Sequence, residues 1–370
     1  MGIFNKRLSF KGKVNVLLCT VIICAFCIAR TYYVSNRNNV YYVTDSILGS
    51  IDPNLIMGDD NAVFTVVNKD PNNFKIKWKT SKIHISKPVK LNLVGTDIPV
   101  VMGSCWNGKK DSVRPEYPVT IDTGYSGCLL VDDAIVKGAE LGYYPRGFNK
   151  GGVVGMCHLC QLKLGNITFV HPVCSVRNGH FAKRVGKKEA QISHDILLGI
   201  KLLKEFKYVL INSPSKYAEF SVKSFDPNDD TLWDEFPMVV ETRNNNVVLL
   251  VTVPVNGKEF MMQFDTGAGA TLHIASSFWN EFSESLDYKG PKSCRLRRIN
   301  GFAKGEYYIV KKLEFAGQVF RDVQVMIDVS KEEPLRNTDI MLGMRFFHKR
   351  VIVMDFENGL LKVSKTGMKN

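Results

Sequence analysis

The stretch VTIDTGYSGCLL, residues 119–130, places an acid, a hydroxyl and a glycine directly after an apolar run of β type. A second stretch, MQFDTGAGATLHI at residues 262–274, has the same order of residue types. A single D-T-G is weak evidence, because Asp and Gly are common in turns. Two copies in similar apolar surroundings indicate a pair of related sites, centred on Asp122 and Asp265.

The residues that follow the two D-T-G stretches also recur. DILLGI begins at Asp195, 73 residues after Asp122, and DIMLGM begins at Asp339, 74 residues after Asp265. Each is followed by a short helical pattern that contains an aromatic residue, and then by a strand pattern with a polar end, YVLIN or VIVMD. Parts that recur in the same order predict an internal repeat. We expect residues 213–237, rich in turn and acidic residues, to link the two units.

Composition bounds the class of protein. The chain has 370 residues, of which 45% are hydrophobic, and a formal net charge of +13. That length allows two domains, each with its own core. The basic residues are spread along the chain, and no zinc-finger, helix-turn-helix or RNA-recognition pattern accompanies them. We therefore expect no nucleic-acid partner, and keep a membrane-anchored binder of nucleic acid or of an anionic surface as a minor alternative.

The N-terminus has the pattern of a membrane anchor. An uncharged run, residues 14–29, follows a basic segment, residues 1–13. With Arg30 snorkelling to the membrane surface, the inclusion of Thr31–Val34 brings the segment to the length of a spanning helix. The basic residues before it predict a single-pass protein with a cytoplasmic N-terminus and the rest of the chain extracytoplasmic, whether periplasmic, extracellular or luminal. We predict a transmembrane anchor at 14–34, with a cleaved signal peptide as the alternative. Residues 35–75 are then a tether or a removable pro-segment.

The remainder of the sequence predicts a mostly β protein. From about residue 75, short apolar and β-branched runs alternate with turn residues. Helical patterns are few and short, at residues 132–141, 200–206, 276–286 and 344–348. We therefore predict a first unit at residues 76–212 and a second unit at residues 238–370.

These motifs resemble the pepsin and retropepsin clan of aspartic peptidases. In that clan a D-T-G at a strand end is followed at a distance by two apolar residues and a glycine, here Leu197-Leu198-Gly199 and Met341-Leu342-Gly343. The resemblance covers roughly residues 85–364 and is nearer to two retropepsin units in tandem than to the larger lobes of pepsin. It implies two retropepsin-like β lobes with pseudo-two-fold symmetry, in a chain that acts as a monomer.

The resemblance also assigns roles to residues. Asp122 and Asp265 would be catalytic. Thr123, Gly124, Thr266 and Gly267 would support the active-site loops, and Leu198, Gly199, Leu342 and Gly343 would pack beneath them. DTGYSG is similar to a variant of bacterial members and DTGAGA to the commoner form, so the two lobes are not equivalent.

A pair of carboxyl groups suits amide hydrolysis. Like charges a few ångströms apart cannot both ionise, so one carboxylate takes a proton from water while the protonated partner hydrogen-bonds the scissile carbonyl. This chemistry needs no cofactor and no metal. The sequence therefore predicts an aspartic endopeptidase that binds a polypeptide substrate in extended form. The alternatives are an inactive peptide-binding or regulatory module of the same fold, and two D-T-G turns with a structural role only.

Two further features remain open in the sequence. If Gly165-Asn166 is a two-residue hairpin turn, Cys157 faces Cys174 across the strands, which favours a disulfide in an oxidising compartment. A zinc site that uses Cys157, Cys160, His171 and Cys174 is the alternative. For the hairpins that would cover the cleft, we expect residues 143–156 in the first unit and residues 297–307 in the second.

Overall fold

The computed structural model describes a large part of the chain from residue 63 onward. The described residues are 63–66, 76–78, 89–93, 97–107, 114–138, 143–145, 153–159, 161–165, 167–170, 172–177, 196–244, 246–298, 301–329 and 338–365. The predicted anchor at 14–34 lies outside these residues. None of the helices in the described ranges is long and apolar enough to cross a membrane.

The first half of the described chain holds fourteen strands and two short helices. The strands are β1 (Val63–Val66), β2 (Ile76–Trp78), β3 (Val89–Leu93), β4 (Pro99–Trp106), β5 (Glu116–Asp122), β6 (Leu129–Asp132), β7 (Tyr143–Pro145), β8 (Val153–His158), β9 (Gln161–Leu164), β10 (Ile167–Val170), β11 (Val173–Arg177), β12 (Ile196–Gly199), β13 (Tyr208–Asn212) and β14 (Tyr217–Ser221). The helices are α1 (Asp133–Gly138) and α2 (Ile200–Leu203).

The second half holds ten strands, one α-helix and two 3₁₀ turns. The strands are β15 (Trp233–Arg243), β16 (Asn246–Val255), β17 (Lys258–Phe264), β18 (Leu272–Ala275), β19 (Tyr288–Arg298), β20 (Gly301–Phe315), β21 (Gln318–Asp328), β22 (Ile340–Leu342), β23 (Val351–Asp355) and β24 (Leu360–Ser364). The helix is α3 (Trp279–Ser283), and the 3₁₀ turns are Asp230–Leu232 and Met344–Phe347. The protein is mostly β, and helical turns form within all four segments where the sequence predicts them.

The strand pairings repeat between the two halves. In the first repeat, residues 89–221, β12 lies between β5, to which it is parallel, and β6, to which it is antiparallel. In the second repeat, residues 233–364, β22 lies in the same way between β17 and β18. Both central strands come from the predicted apolar-apolar-glycine motifs. All four residues of β12 are buried, as expected for a strand covered on both faces.

The two repeats share a middle sheet. Its strand order is β3-β14-β13-β23-β24-β15, and every neighbouring pair is antiparallel. Three strands come from each repeat, and the pseudo-two-fold axis passes between β13 and β23. Because side chains alternate across a strand, one face carries apolar residues into the main core. These include Val209, Ile211, Ile352 and Met354.

The segments predicted to lie outside the two units contribute strands to the sheets. Residues 213–237, expected to link the units, contain β14 and the start of β15, both of which belong to the middle sheet. Within residues 35–75, expected to form a tether or pro-segment, β1 pairs in parallel with β10. The link between the repeats is therefore a structured part of the fold.

The predicted hairpins form in the expected register. Leu164 faces Ile167 across the turn at Gly165, and Cys157 faces Cys174 between β8 and β11. Strands β7 and β8 form one hairpin, and β19 and β20 form its counterpart in the second repeat. These two hairpins include the segments expected from sequence to cover the cleft.

Candidate active site

Each D-T-G lies where a buried strand ends and a turn begins. Asp122 is the last residue of β5, and Asp265 directly follows β17. After each aspartate a backbone hydrogen bond closes the turn, from the amide of Tyr125 to the carbonyl of Asp122 (3.2 Å) and from the amide of Ala268 to the carbonyl of Asp265 (3.1 Å). The two loops are therefore closed by the same backbone hydrogen bond. The Asp122 side chain is buried, with 7% of the residue exposed.

The threonines join the two loops through four hydrogen bonds. The Thr123 hydroxyl donates to the carbonyl of Phe264, and the Thr266 hydroxyl donates to the carbonyl of Ile121, both at 2.6 Å. Each hydroxyl also accepts the backbone N–H of the other threonine at 3.0 Å. Both threonines are fully buried. All four polar groups are satisfied across the pseudo-two-fold axis, which fixes one loop against the other.

The glycines bring the two loops into close approach. A Cβ atom on Gly124 would overlap the carboxyl group of Asp265, and a Cβ on Gly267 would lie 2.6 Å from Cγ of Asp122. Neither space can hold a side chain. The glycine amides also serve the acids: that of Gly124 donates to Oδ1 of Asp122 at 3.0 Å and that of Gly267 to Oδ1 of Asp265 at 2.9 Å. Glycine is therefore required here for close packing rather than for backbone angle.

The apolar-glycine elements lie directly beside the loops, as the resemblance implies. Gly199 is the register partner of Asp122, and the amide of Asp265 donates to the carbonyl of Leu342 at 2.9 Å. The amide of Gly199 donates to the carbonyl of Cys128 (2.8 Å), and that of Gly343 donates to the carbonyl of Thr271 (2.9 Å). These bonds hold both sides of each loop.

A second pair of backbone hydrogen bonds joins the residues after these glycines to the acid loops. The amides of Ile200 and Met344 donate to the carbonyls of Tyr125 (2.9 Å) and Ala268 (2.8 Å), in equivalent positions of the two repeats. A Cβ on Gly199 would overlap the carbonyl of Gly127. The start of the helical turn after each glycine is thus bonded to the acid loop itself.

The two loops bring the carboxyl groups of Asp122 and Asp265 together, since each carboxyl group lies against the glycine of the opposite loop. Burial raises the pKa of Asp122, while the hydrogen bonds from Asp265 and from the amides of Gly124 and Tyr125 act in the opposite direction. Burial and then the charge of Asp122 raise the pKa of Asp265 well above its ordinary value. Two carboxyl groups this close favour a singly protonated pair that titrates as a unit.

The two loops differ in the residue after the glycine. The first repeat has Tyr125 and the second has Ala268. The Tyr125 ring packs over Gly127, and its hydroxyl hydrogen-bonds with Ser175 of β11. Burial raises the pKa of this hydroxyl, so it stays protonated. The predicted inequivalence of the two loops thus has a physical form, an aromatic ring that ties one of them to β11.

A buried ion pair lies near the first loop and was not predicted from the sequence. Arg177 at the end of β11 pairs with Asp132 at the end of β6, with side chains 12% and 5% exposed. The guanidinium charge also lowers the pKa of Asp122. At the equivalent register the second repeat has Asp328 opposite Ala275. Only a comparison of aligned repeats could have indicated this difference.

The cysteine predictions are met in part. The backbone register opposes Cys157 and Cys174, and the disulfide itself stays a prediction. Cys160 and His171, which the alternative zinc site requires, lie outside the described residues. Within the described ranges, no group of three or more His, Cys, Asp or Glu side chains is placed to hold a metal ion.

A comparison with known families identifies the second repeat. Residues 251–349, which include Asp265 and the Leu342-Gly343 element, match the family model of the gag-polyprotein putative aspartyl protease. This part of the chain is similar to a retropepsin-like aspartyl protease. The first repeat, which the family model does not match, has the same strand pairings and a facing D-T-G loop.

Comparisons with whole proteins add two structures. Basic 7S globulin from soybean is 11% identical, with a TM-score of 0.42, over 76% of this chain and 94% of the globulin chain. Conglutin gamma, a basic 7S globulin from lupine seeds, is 12% identical, with a TM-score of 0.42, over 76% of this chain and 95% of the conglutin chain. No curated protein matches the sequence.

Proposed function

We propose that this retropepsin-like protein is an aspartic endopeptidase that hydrolyses peptide bonds with a water activated by Asp122 and Asp265. The observation that carries the proposal is the close approach of the two carboxyl groups, each against the glycine of the opposite loop, within loops held together by Thr123 and Thr266. Both halves of the pair come from one chain. A monomer would therefore contain a complete site.

The two acids would have different roles at the start of the reaction. Each acid accepts hydrogen bonds from two backbone amides, but only Asp122 lies near the positive charge of Arg177, so Asp122 would be the ionised member. It would take a proton from the attacking water. Asp265, which holds the shared proton, would donate a hydrogen bond to the scissile carbonyl oxygen. The hydroxide adds to the carbonyl carbon, and the proton on Asp122 later passes to the leaving nitrogen.

The substrate would be an extended polypeptide. The family model is that of a protease, and the hairpins β7–β8 and β19–β20 provide strands along which an extended chain could pair. The apolar segment 14–34 would anchor the protein with its peptidase part on the extracytoplasmic side. This placement keeps the orientation expected from the basic residues before that segment.

Single substitutions of the acids test the proposal. Asp122→Asn and Asp265→Asn keep the Oδ1 acceptors of the loop amides but remove the shared proton chemistry. We expect each variant of the full chain, in detergent, to lose more than about a hundredfold in cleavage of a mixed peptide library. Asp322→Asn is the matched control, because this aspartate is exposed on β21 and its positive φ of 52° also suits Asn.

The outcomes separate the alternatives. Loss of cleavage in both acid variants with an active Asp322→Asn control supports a shared dyad in one chain. Wild-type activity that survives Asp265→Asn contradicts the proposal. A folded wild-type protein that binds peptides but cuts none between pH 3 and 8 would instead be an inactive binding module of the same fold.

A further inference from the structure

The hairpin β19–β20 in the second repeat concentrates positive charge. Residues 288–308 contain six basic residues and one acidic residue, Glu306. The basic residues are Lys289, Lys292, Arg295, Arg297, Arg298 and Lys304. The equivalent hairpin of the first repeat, residues 143–158, contains two basic residues and no acidic residue. The excess of positive charge is thus larger on the β19–β20 hairpin than on the β7–β8 hairpin.

The lysines of this hairpin are exposed and unpaired. Lys289, Lys292 and Lys304 are all exposed, and none of them has a carboxylate partner among the described residues. Elsewhere in the second repeat lysines do form ion pairs, as Lys311 does with Asp287 at 2.7 Å. The charge of the hairpin is therefore available to a ligand.

The register places two cationic residues opposite each other. Arg295 and Lys304 are cross-strand partners, and Arg297 follows two residues along the same strand. Like charges directly opposite on antiparallel strands destabilise a hairpin. The sequence thus keeps an arrangement that is unfavourable for the isolated fold and that a bound anion would relieve.

Protection of a sheet edge does not account for this pattern. In the described part of the chain β19 pairs only with β20, and a lysine on such an edge discourages aggregation. Lys304, however, lies on β20, one residue before the pairing of β20 with β21 begins at Gly305. Protection of the β19 edge does not require this second cation opposite Arg295.

The hairpin belongs to the sheet that carries Asp265. Its strands continue through β21, β18 and β22 to β17, whose end leads into the D-T-G loop. The hairpin is also the topological equivalent of β7–β8, so the two lie in related positions about the acid pair. An extended chain that reaches the acids and pairs with the edge of β19 would meet these cations.

We propose that the β19–β20 hairpin selects polypeptide substrates with Asp or Glu side chains on one side of the scissile bond. This inference rests on the proposed peptidase function and adds the substrate class. The ligand groups are carboxylates of an extended segment. An anionic lipid surface is the competing ligand, and the experiment below discriminates between the two.

The experiment measures binding without requiring cleavage. Full-length Asp265→Asn protein in detergent is titrated with fluorescent peptides that differ only by Asp/Glu against Asn/Gln at flanking positions. We expect the acidic peptides to bind about tenfold more tightly at low salt, with a smaller preference at high salt. Adding Lys292→Glu and Lys304→Glu should reduce that preference at least about fivefold. Lys312→Glu is the matched control, an exposed lysine on the same strand away from the tip.

The outcomes test peptide selection by the hairpin separately from cleavage by the acid pair. Equal affinity for acidic and neutral peptides overturns the inference. So does a preference for acidic peptides that remains after Lys292→Glu and Lys304→Glu are introduced together. Displacement of both peptides by soluble short-chain phosphatidylserine, with no selection between them, also overturns it and indicates a lipid-binding surface. Cleavage by the wild-type chain is measured in parallel. Selective binding without any cleavage would support the hairpin's role while contradicting the proposed function.

Discussion

Thr123 and Thr266 each donate a hydroxyl hydrogen bond to a backbone carbonyl of the opposite repeat and accept the amide of the other, in four bonds of 2.6–3.0 Å. The two residues are 143 positions apart in sequence. Their contact converts two separate turns into one rigid centre. The geometry of the acids depends on it, because each threonine follows an aspartate directly.

Removal of one hydroxyl should therefore destabilise the protein. Thr266→Val leaves the carbonyl of Ile121 and the amide of Thr123 without their partners in a fully buried position. Each unsatisfied group costs about 1–3 kcal/mol, so we expect the free energy of unfolding to fall by roughly 2–6 kcal/mol. Urea denaturation of the full chain in detergent measures this.

Thr242→Val provides the matched control for that substitution. Thr242 is exposed on β15, and the same change of hydroxyl to methyl should alter stability by less than about 0.5 kcal/mol. Equal effects at the two positions would show that the hydroxyl bonds of Thr266 contribute little.

Gly199, beside the first acid loop, and Gly257, in the turn between β16 and β17, allow a comparison of two kinds of strain. In Gly199→Ala the new methyl group would overlap the carbonyl of Gly127, which is backbone and cannot rotate away. At Gly257 no atom lies within 4 Å of the added Cβ, and the only penalty is its φ of +78°. We expect Gly257→Ala to cost about 1 kcal/mol and Gly199→Ala about 3 kcal/mol or more.

Thermal unfolding and peptide cleavage together check this comparison. Gly199→Ala should lower the melting temperature further than Gly257→Ala and should also reduce cleavage, because the displaced loop carries Asp122. If Gly257→Ala proved the more harmful of the two, close packing beneath the loop would not be the constraint on position 199.

Local sequence patterns predicted much of this fold, but they did not predict which distant strands pair with each other. The D-T-G loops, the apolar-glycine strands and the register of Cys157 with Cys174 follow from short-range alternation and turn chemistry. The middle sheet does not, because its strands come from both ends of the described chain. β13 pairs with β23, and nothing in either strand's own sequence specifies the other.

The electrostatic difference between the acids was also out of reach of sequence. The proposed proton assignment depends on the position of Arg177 near Asp122, which is a property of the folded chain. The D-T-G motifs identify the two acids but carry no information on the different charges around them in the folded protein. The same limit applies to Tyr125, whose contact with Ser175 depends on the approach of β11.

The opposed cysteines give a prediction that bears on the compartment. Cys157 and Cys174 are cross-strand partners, as the hairpin register requires. If the chain is exported as proposed, we expect a disulfide between them, detected as a linked peptide pair after proteolysis under non-reducing conditions. Cys105, which is fully buried on β4, is the control thiol and should not enter this linked pair. Two unlinked, alkylated thiols in protein isolated without reductant would contradict an oxidising location.

The acid pair predicts an inverse dependence of stability on pH. Both aspartates have raised pKa values in the folded protein, and that of Asp265 is raised most. Between the ordinary pKa of 3.8 and the raised pKa, the folded state binds more protons than the unfolded chain. The free energy of unfolding contributed by this pair must then fall as pH rises through that window. Asp265→Asn removes the titrating group with the smallest change in shape.

Denaturation of wild type and Asp265→Asn from pH 3 to pH 8 measures the effect. We expect the variant to gain stability relative to wild type as pH rises and the difference to level off once Asp265 is ionised in the folded protein. Wild-type cleavage should decline over the same upper range, because the pair then loses its shared proton. Asp322→Asn should leave the pH profile of stability unchanged, since this exposed aspartate lies away from the pair. A constant difference between wild type and Asp265→Asn at every pH would mean that the two carboxyl groups do not share a proton.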